Sequence, residues 1–284
     1  MKPEDRYVTS SAGVAVPRII YGTAWKKAAT EGLVARALRL GFRGVDTACQ
    51  PKHYDEAGVG RGMAASYDER LQRSNLYVQT KFTPIGGHDP RRVPYDRRAP
   101  LAAQLAQSFA ASLRNLATDY LDCLLLHSPL GTPEQTAEVW GAMETIYDAG
   151  GARQLGISNC YDADYLAELY GFARIKPAVV QNRFYAETGY DRPIRAFCAA
   201  RGIVYQSFWT LTANPHLLGS REVAELAETH GRTPAQILFR CLSAEGIVPL
   251  TGTASEQHMR EDLEIFDFDL EEGDRRRVTA LLDR

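Results

Sequence analysis

Residues 121–127 read LDCLLLH, polar only at Asp122 and at the terminal His127. A strand with one wet face alternates apolar and polar residues. A strand covered on both faces does not, and such coverage is the habit of parallel sheets. Parallel neighbours cannot be joined by a tight turn, so each pair needs a crossover, usually a helix. Working outward from 121–127, short β-rich runs and longer helical ones alternate along the chain. Strands are expected at about 18–24 (RIIYGTA), 43–48 (RGVDTA), 76–81 (LYVQTK), 153–158 (RQLGIS), 178–183 (AVVQNR), 203–209 (IVYQSFW) and 247–251 (IVPLT).

Helical patterns fill the gaps. Leu101, Leu105, Phe109 and Leu113 share one face of a helix over 98–116. Val139, Met143 and Ile146 do so over 132–148, where Thr132 and Gln135 suggest a capping box. Further helices fit 28–40, 56–66, 162–173, 191–201, 234–244 and 255–264. Gly41, Gly150, Gly202 and Gly246 follow helices, where a left-handed cap belongs. Eight strands alternating with eight helices predict an α/β fold, a closed (β/α)8 TIM barrel. YVTSSAGVAVPRI predicts an N-terminal β-hairpin around Ser11–Gly13, set to plug the barrel bottom, and 271–284 a short C-terminal helix. The longest loop, 82–97, falls on the C-terminal face, where such barrels keep their active sites.

At 284 residues, a rule of ~150 per domain suggests two domains, but an α/β barrel of ~250 residues is one unit. No linker or composition shift divides the chain, so a single domain over 1–284 is expected. Folding should leave ~12,000 Å² of surface from ~46,000 Å² unfolded, enough burial to need no disulfide or metal staple. The 33 basic residues against 35 acidic leave a net charge of −2, with no sign of the basic face that nucleic acid or a membrane surface would require. Five cysteines, with no CxxC pair, argue against a disulfide framework or zinc site and suggest small core residues in a reducing compartment. MKPEDRYVTS holds no apolar leader and no apolar run approaches ~18 residues, so a cytoplasmic protein is expected.

In such barrels chemistry gathers at the strand C-termini. Those ends read Gly22-Thr23, Asp46, Lys81, His127, Ser158-Asn159, Gln181-Asn182, Tyr205 and Thr251-Gly252. Singly, each has a bland reading: Asp46 a helix cap, Lys81 a surface lysine, His127 a satisfied core histidine. An Asp, a Lys and a His closing three consecutive strands make the joint bland reading much weaker. Metal catalysis is disfavoured, since neither His-x-His nor His-Glu-x-x-His occurs.

GVDTACQPKHYDEAGVG at 44–60 resembles the aldo-keto reductase pattern of Asp-Thr-Ala, a nearby Tyr, then Glu-x-x-Val-Gly. QTKF, LLLHSP, GISN, VVQNRF and IFDFDL match further, in family order, and with Gly22–Trp25 the likeness spans roughly residues 18 to 270. The resemblance implies a barrel oxidoreductase using a nicotinamide cofactor, NADPH by family habit and NADH as the alternative. It implies a catalytic tetrad of Asp46, Tyr54, Lys81 and His127. It implies that Ser158, Asn159 and Gln181 hold the nicotinamide carboxamide and that Tyr205 stacks on its ring. Phosphates would lie over the loops after the last two strands, by Ser207, Thr251, Gly252 and Thr253 and the helix start near Ser255, with Gly22 and Thr23 alongside. GVGRG at 58–62 is not GxGxxG, follows no adequate strand, and is read as a helix start.

Carbonyl reduction needs a hydride at carbon and a proton at oxygen, and the proton donor works best with a pKa near the working pH. A lysine ammonium ~4 Å from a phenolate, at an effective dielectric of ~20, contributes ~4 kcal/mol, roughly three pKa units. Lys81 is therefore expected to lower Tyr54, Asp46 to hold Lys81 charged, and His127 to orient the carbonyl oxygen. Trp25, Trp209 and Phe208 would wall the pocket, with small aldehydes or ketones as the partner class and a monomer compatible with the sequence.

The chain also departs from the family. Asp46 and Tyr54 are eight residues apart, with Gln50-Pro51-Lys52 apparently inserted, and counting back from Glu56 puts His53 in the usual tyrosine place. Tyr54 is favoured because a phenol suits the acid role. Leu250 follows Pro249 where many NADPH-preferring members carry Lys, leaving Arg260 or His258 as replacement cations. A non-catalytic nicotinamide-binding regulatory subunit is the main rival reading. A hydrolase or aldolase with Lys81 as a Schiff base is a weaker one.

Overall fold

A computed structural model of the chain describes residues 6–283. Strands β1 (Tyr7–Thr9) and β2 (Ala15–Pro17) pair antiparallel. Eight parallel strands then close a barrel: β3 (Ile20–Gly22), β4 (Gly44–Asp46), β5 (Tyr77–Phe82), β6 (Cys123–Leu126), β7 (Leu155–Ser158), β8 (Val179–Arg183), β9 (Val204–Phe208) and β10 (Ile247–Thr251). β10 returns to β3 through Leu250 opposite Ile20, so no edge is left open.

The helices outside are α1 (Thr30–Leu40), α2 (Glu56–Ala64), α3 (Leu101–Leu116), α4 (Pro133–Asp148), α5 (Ala163–Phe172), α6 (Arg192–Ala199), α7 (Pro215–Leu218), α8 (Arg221–His230), α9 (Pro234–Ala244), α10 (Glu256–Leu263) and α11 (Glu272–Thr279). The short helix α7 and the ten-residue α8 are additions to the one-helix-per-strand pattern. Thr132 is a simple N-cap, accepting from the Gln135 amide at 3.3 Å; reciprocal boxes lie instead at Thr233 and Gln236 and at Gln72 and Asn75. Gly150 and Gly246 end helical segments at φ 78°, as expected. Position 284 of the predicted C-terminal helix lies outside the described residues.

Both faces of the barrel wall are buried, and the alternation along each strand sorts them. Tyr77, Cys123, Leu125, Val179, Val204 and Val248 pack together inside; Val78, Leu124, Leu126, Val180 and Tyr205 pack with the outer layer. The hairpin closes the N-terminal end. Val16 joins the inner cluster, Ser10 Oγ donates to Gln154 Oε1 at 2.5 Å, and the Ser11 amide donates to the Gly202 carbonyl at 2.8 Å.

The GVGRG segment is helical, inside α2. Its glycines serve packing: a Cβ on Gly60 would press into the Asn115 carbonyl and the Leu116 backbone of α3. Gly60→Ala should therefore lower unfolding free energy by about 1–3 kcal/mol, the usual range for overpacking, as read by urea denaturation. An unchanged midpoint would mean that α2 shifts freely against α3. Among the described residues no helix is long and apolar enough to cross a membrane.

Candidate active site

β4, β5 and β6 deliver Asp46, Lys81 and His127 to neighbouring positions at the barrel mouth. Lys81 Nζ donates to Asp46 Oδ1 at 2.6 Å and to the Thr47 carbonyl at 2.9 Å. The pair is deeply buried, with side-chain exposures of 1% and 4%. Gln79 and Gln181 also donate to Asp46 Oδ1, at 2.7 and 2.9 Å, and both donate to Gln206 Oε1. Asp46 is thus the acceptor at the centre of an amide layer crossing the barrel. A buried carboxylate needs such donors to stay charged.

Tyr54 lies above this pair. Lys81 Nζ is 5.4 Å from its ring centroid, and the His127 ring meets it edge-on at 6.1 Å between centroids. His53, the alternative in sequence, instead packs its ring on Trp25 at 3.9 Å and lines the cavity rim. The expected lowering of the Tyr54 phenol is absent: burial, then the Asp46 charge, push it well above its ordinary value. Burial is the larger cause, and Lys81 spends part of its ammonium on Asp46, which weakens its pull on the phenol without removing it. His127 is held well below the usual histidine range by burial and then by the Lys81 charge, so its imidazole is neutral at neutral pH.

A residue that the sequence reading passed over fixes that imidazole. Thr83, first after β5, has its hydroxyl 2.6 Å from His127 Nδ1. The Thr83 carbonyl accepts from His88 Nε2 at 3.0 Å and from the Tyr95 hydroxyl at 2.8 Å, which pins the 83–95 loop beneath it. Among the described residues the Thr83 hydroxyl has no other partner, and orphaned donors are rarer than orphaned acceptors. Donation from that hydroxyl to Nδ1 would leave the ring proton on Nε2, facing Tyr54's side of the cavity.

A cavity of about 1250 Å³ runs from Tyr54 and His127 to α10. Of the residues expected at a cofactor, Gly22, Ser158, Asn159, Gln181, Thr251, Gly252 and Thr253 line it, as do Trp25 and Trp209. Both indoles are about half exposed and adopt left-handed backbone, φ 65° and 57°, conformations that cluster at functional sites. Asn159, also left-handed, donates to the His127 carbonyl at 2.8 Å.

Four expected residues lie elsewhere. Tyr205 points outward and donates to Asp191 Oδ2 at 2.9 Å; Gln206 and Phe208 hold the inner face of β9, and Phe208 is the aromatic that β9 itself brings to the cavity. Ser207 is fully buried behind the wall, accepting from Thr210 Oγ1 at 2.9 Å, and Thr210 lines the cavity in its place. Thr23 is fully buried, its hydroxyl donating to the Asp46 carbonyl at 2.8 Å. Arg260 stays in solvent, donating to Glu256 Oε1 at 2.8 Å. The cation at this end is instead Lys26, which lines the cavity and donates to the Gly252 carbonyl across it. Cys49 and Cys160 are buried, and burial pushes both thiols up to about 12, which suits packing rather than nucleophilic work.

A cavity of this volume and lining suits a dinucleotide in most respects. Amide and hydroxyl groups of Ser158, Asn159 and Gln181 stand at one end to match a carboxamide. Midway the backbone of Gly22 and Gly252 carries no side chain, beside the Lys26 ammonium. Beyond it α10 opens at Ser255, whose hydroxyl caps the His258 amide at 3.3 Å.

Chemical groups gathered at the strand C-termini of a parallel barrel are the arrangement that barrel enzymes share. The sequence profile of the Aldo/keto reductase family matches residues 18–283, and the chain belongs to that family. Glyoxal reductase of Bacillus subtilis (strain 168) is 31% identical over 254 residues, 89% of this chain and 83% of that one. Deoxymugineic acid synthase 1 of Zea mays is 30% identical, covering 97% and 91%. An aldo-keto reductase from a Medee basin deep-sea metagenome library is a structural relative, with TM-score 0.84 at 26% identity over 97% and 94% of the two chains. A Bombyx mori aldo-keto reductase in complex with NADP superposes with TM-score 0.81 at 24% identity over 96% and 92%, a likeness of fold.

Proposed function

We propose that the protein reduces aldehydes or ketones to alcohols with a nicotinamide dinucleotide, Tyr54 serving as proton donor. The observation that carries this reading is the meeting of Tyr54 and His127 over the buried Lys81–Asp46 pair, in a cavity of about 1250 Å³, roomy enough for a dinucleotide. When bound, the reduced nicotinamide supplies a hydride to the carbonyl carbon. The chain supplies the rest. His127 Nε2–H donates a hydrogen bond to the carbonyl oxygen and points it at Tyr54. Tyr54, protonated at rest, gives its proton to that oxygen as negative charge develops. Lys81 stabilises the resulting phenolate, and Asp46 with its amide donors keeps the ammonium in place. Trp25, Trp209 and Phe208 wall the substrate side.

The direct test is a panel of aldehydes and ketones assayed by loss of reduced-cofactor absorbance. The name of the Bacillus relative supports including small dicarbonyls such as glyoxal. Binding of the dinucleotide without turnover on any carbonyl would overturn the reading in favour of a regulatory subunit. A second expectation follows from the hydroxyl on His127. Thr83→Val keeps the shape and removes one hydrogen bond worth roughly 1 kcal/mol, so kcat should fall about fivefold with KM nearly unchanged. Thr83→Ser should restore most of the loss. Equal losses in both variants would assign Thr83 to packing alone.

A further inference from the structure

The far end of the cavity differs chemically from the catalytic end. Its polar side chains include Lys26, Thr251, Thr253, His258, Glu261 and Asp262. Asp262 is 4% exposed, and its Oδ2 accepts from Thr251 Oγ1 at 2.6 Å. Burial lifts its carboxyl to about 6, so it remains mostly ionised at neutral pH. The residue after Pro249 is the apolar Leu250. Arg260 is turned out to Glu256, and Arg36 approaches the same carboxylate at 3.6 Å. Two carboxylates therefore line this end against one ammonium, and that ammonium, on Lys26, is already bonded to the Gly252 carbonyl.

We infer that this end is built for an adenosine ribose with free hydroxyls, so that the protein binds NADH in preference to NADPH. The inference rests on the reading of the cavity as a dinucleotide site. A ribose diol donates hydrogen bonds, and a buried carboxylate is the acceptor that suits it. A 2′-phosphate brings close to two negative charges and acceptor oxygens only; it calls for an arginine or lysine fork. Glu261 and Asp262 offer it neither donors nor compensating charge. Like charges brought together across a partly desolvated contact are strongly disfavoured.

The test is a pair of dissociation constants, read by quenching of tryptophan fluorescence, since Trp25 and Trp209 line the cavity. NADH should bind about tenfold tighter than NADPH or better. Asp262→Asn keeps an acceptor for Thr251 and removes the charge, so it should tighten NADPH several-fold and weaken NADH slightly. Arg260→Ala should alter neither constant. NADPH binding as tightly as NADH or tighter in the unaltered protein overturns the inference while leaving the dinucleotide reading intact. So does an Arg260→Ala variant that loses NADPH affinity. Binding of neither nucleotide overturns both.

Discussion

Tyr54→Phe should lower turnover by at least about a hundredfold and leave dinucleotide binding essentially unchanged, because it removes the one hydroxyl positioned to hand a proton to the substrate. The ring stays, so the edge contact with His127 and the packing over Lys81 survive. His53→Phe should do far less, since that ring stacks on Trp25 outside the Lys81–Asp46 group. A dead His53→Phe enzyme beside an active Tyr54→Phe one would place the proton donor one residue earlier. The pH profile carries the same argument. Reduction needs the phenol protonated, and burial with the Asp46 charge holds it above its ordinary value. Protonation is complete below that raised value and lost only as pH rises through it. The reduction rate should therefore not decline through the neutral and mildly alkaline range on account of Tyr54, whereas a phenol lowered toward neutrality would show such a decline.

The barrel was legible because each parallel strand is a short apolar run bounded by turns, and the catalytic candidates were legible because they close successive strands. Which face a residue takes was not. β9 is buried on both sides, so IVYQSFW shows no alternation to tell the inner parity from the outer. Resemblance selected the aromatic Tyr205, but Gln206 and Phe208 hold the inner face. Thr83 reaches His127 because Phe82 pairs with Leu126 in the barrel, a register that no local pattern states. Lys26 reaches Gly252 from a segment with left-handed backbone at Trp25 and Lys27, a conformation unusual for residues other than glycine. Two other misses did have signals. Glu256 stands four residues before Arg260, a spacing that favours a helix-surface pair over a cavity cation. Helix α8 carries a Ser220 N-cap, buried Val223, Leu226 and Ala227, and a left-handed Gly231 at its end. It was hidden by the expectation of one helix after each strand.

Lys81→Met should abolish reduction, with a loss of at least about a hundredfold, while Asp46→Asn should cost less. Without the ammonium the phenolate loses the cation beside it, and the proton stays on Tyr54. Without the Asp46 charge the ammonium survives, still held by the Thr47 carbonyl at 2.9 Å. The single variants differ in stability as well, in a way that separates chemistry from folding. Removing one partner of a buried ion pair strands the other charge, typically at about 3–5 kcal/mol. Asp46 in Lys81→Met keeps donors from Gln79 and Gln181, which soften that penalty without neutralising the charge. The double variant Asp46→Asn with Lys81→Met removes both charges, so its thermal midpoint should recover toward that of the unaltered protein. Its turnover should stay as low as that of Lys81→Met alone. If activity returned together with stability, Lys81 would be holding up the barrel mouth and the phenolate would need no cation. If Asp46→Asn proved as inactive as Lys81→Met while folding normally, the carboxylate would have a part in the proton transfer beyond keeping the lysine in place.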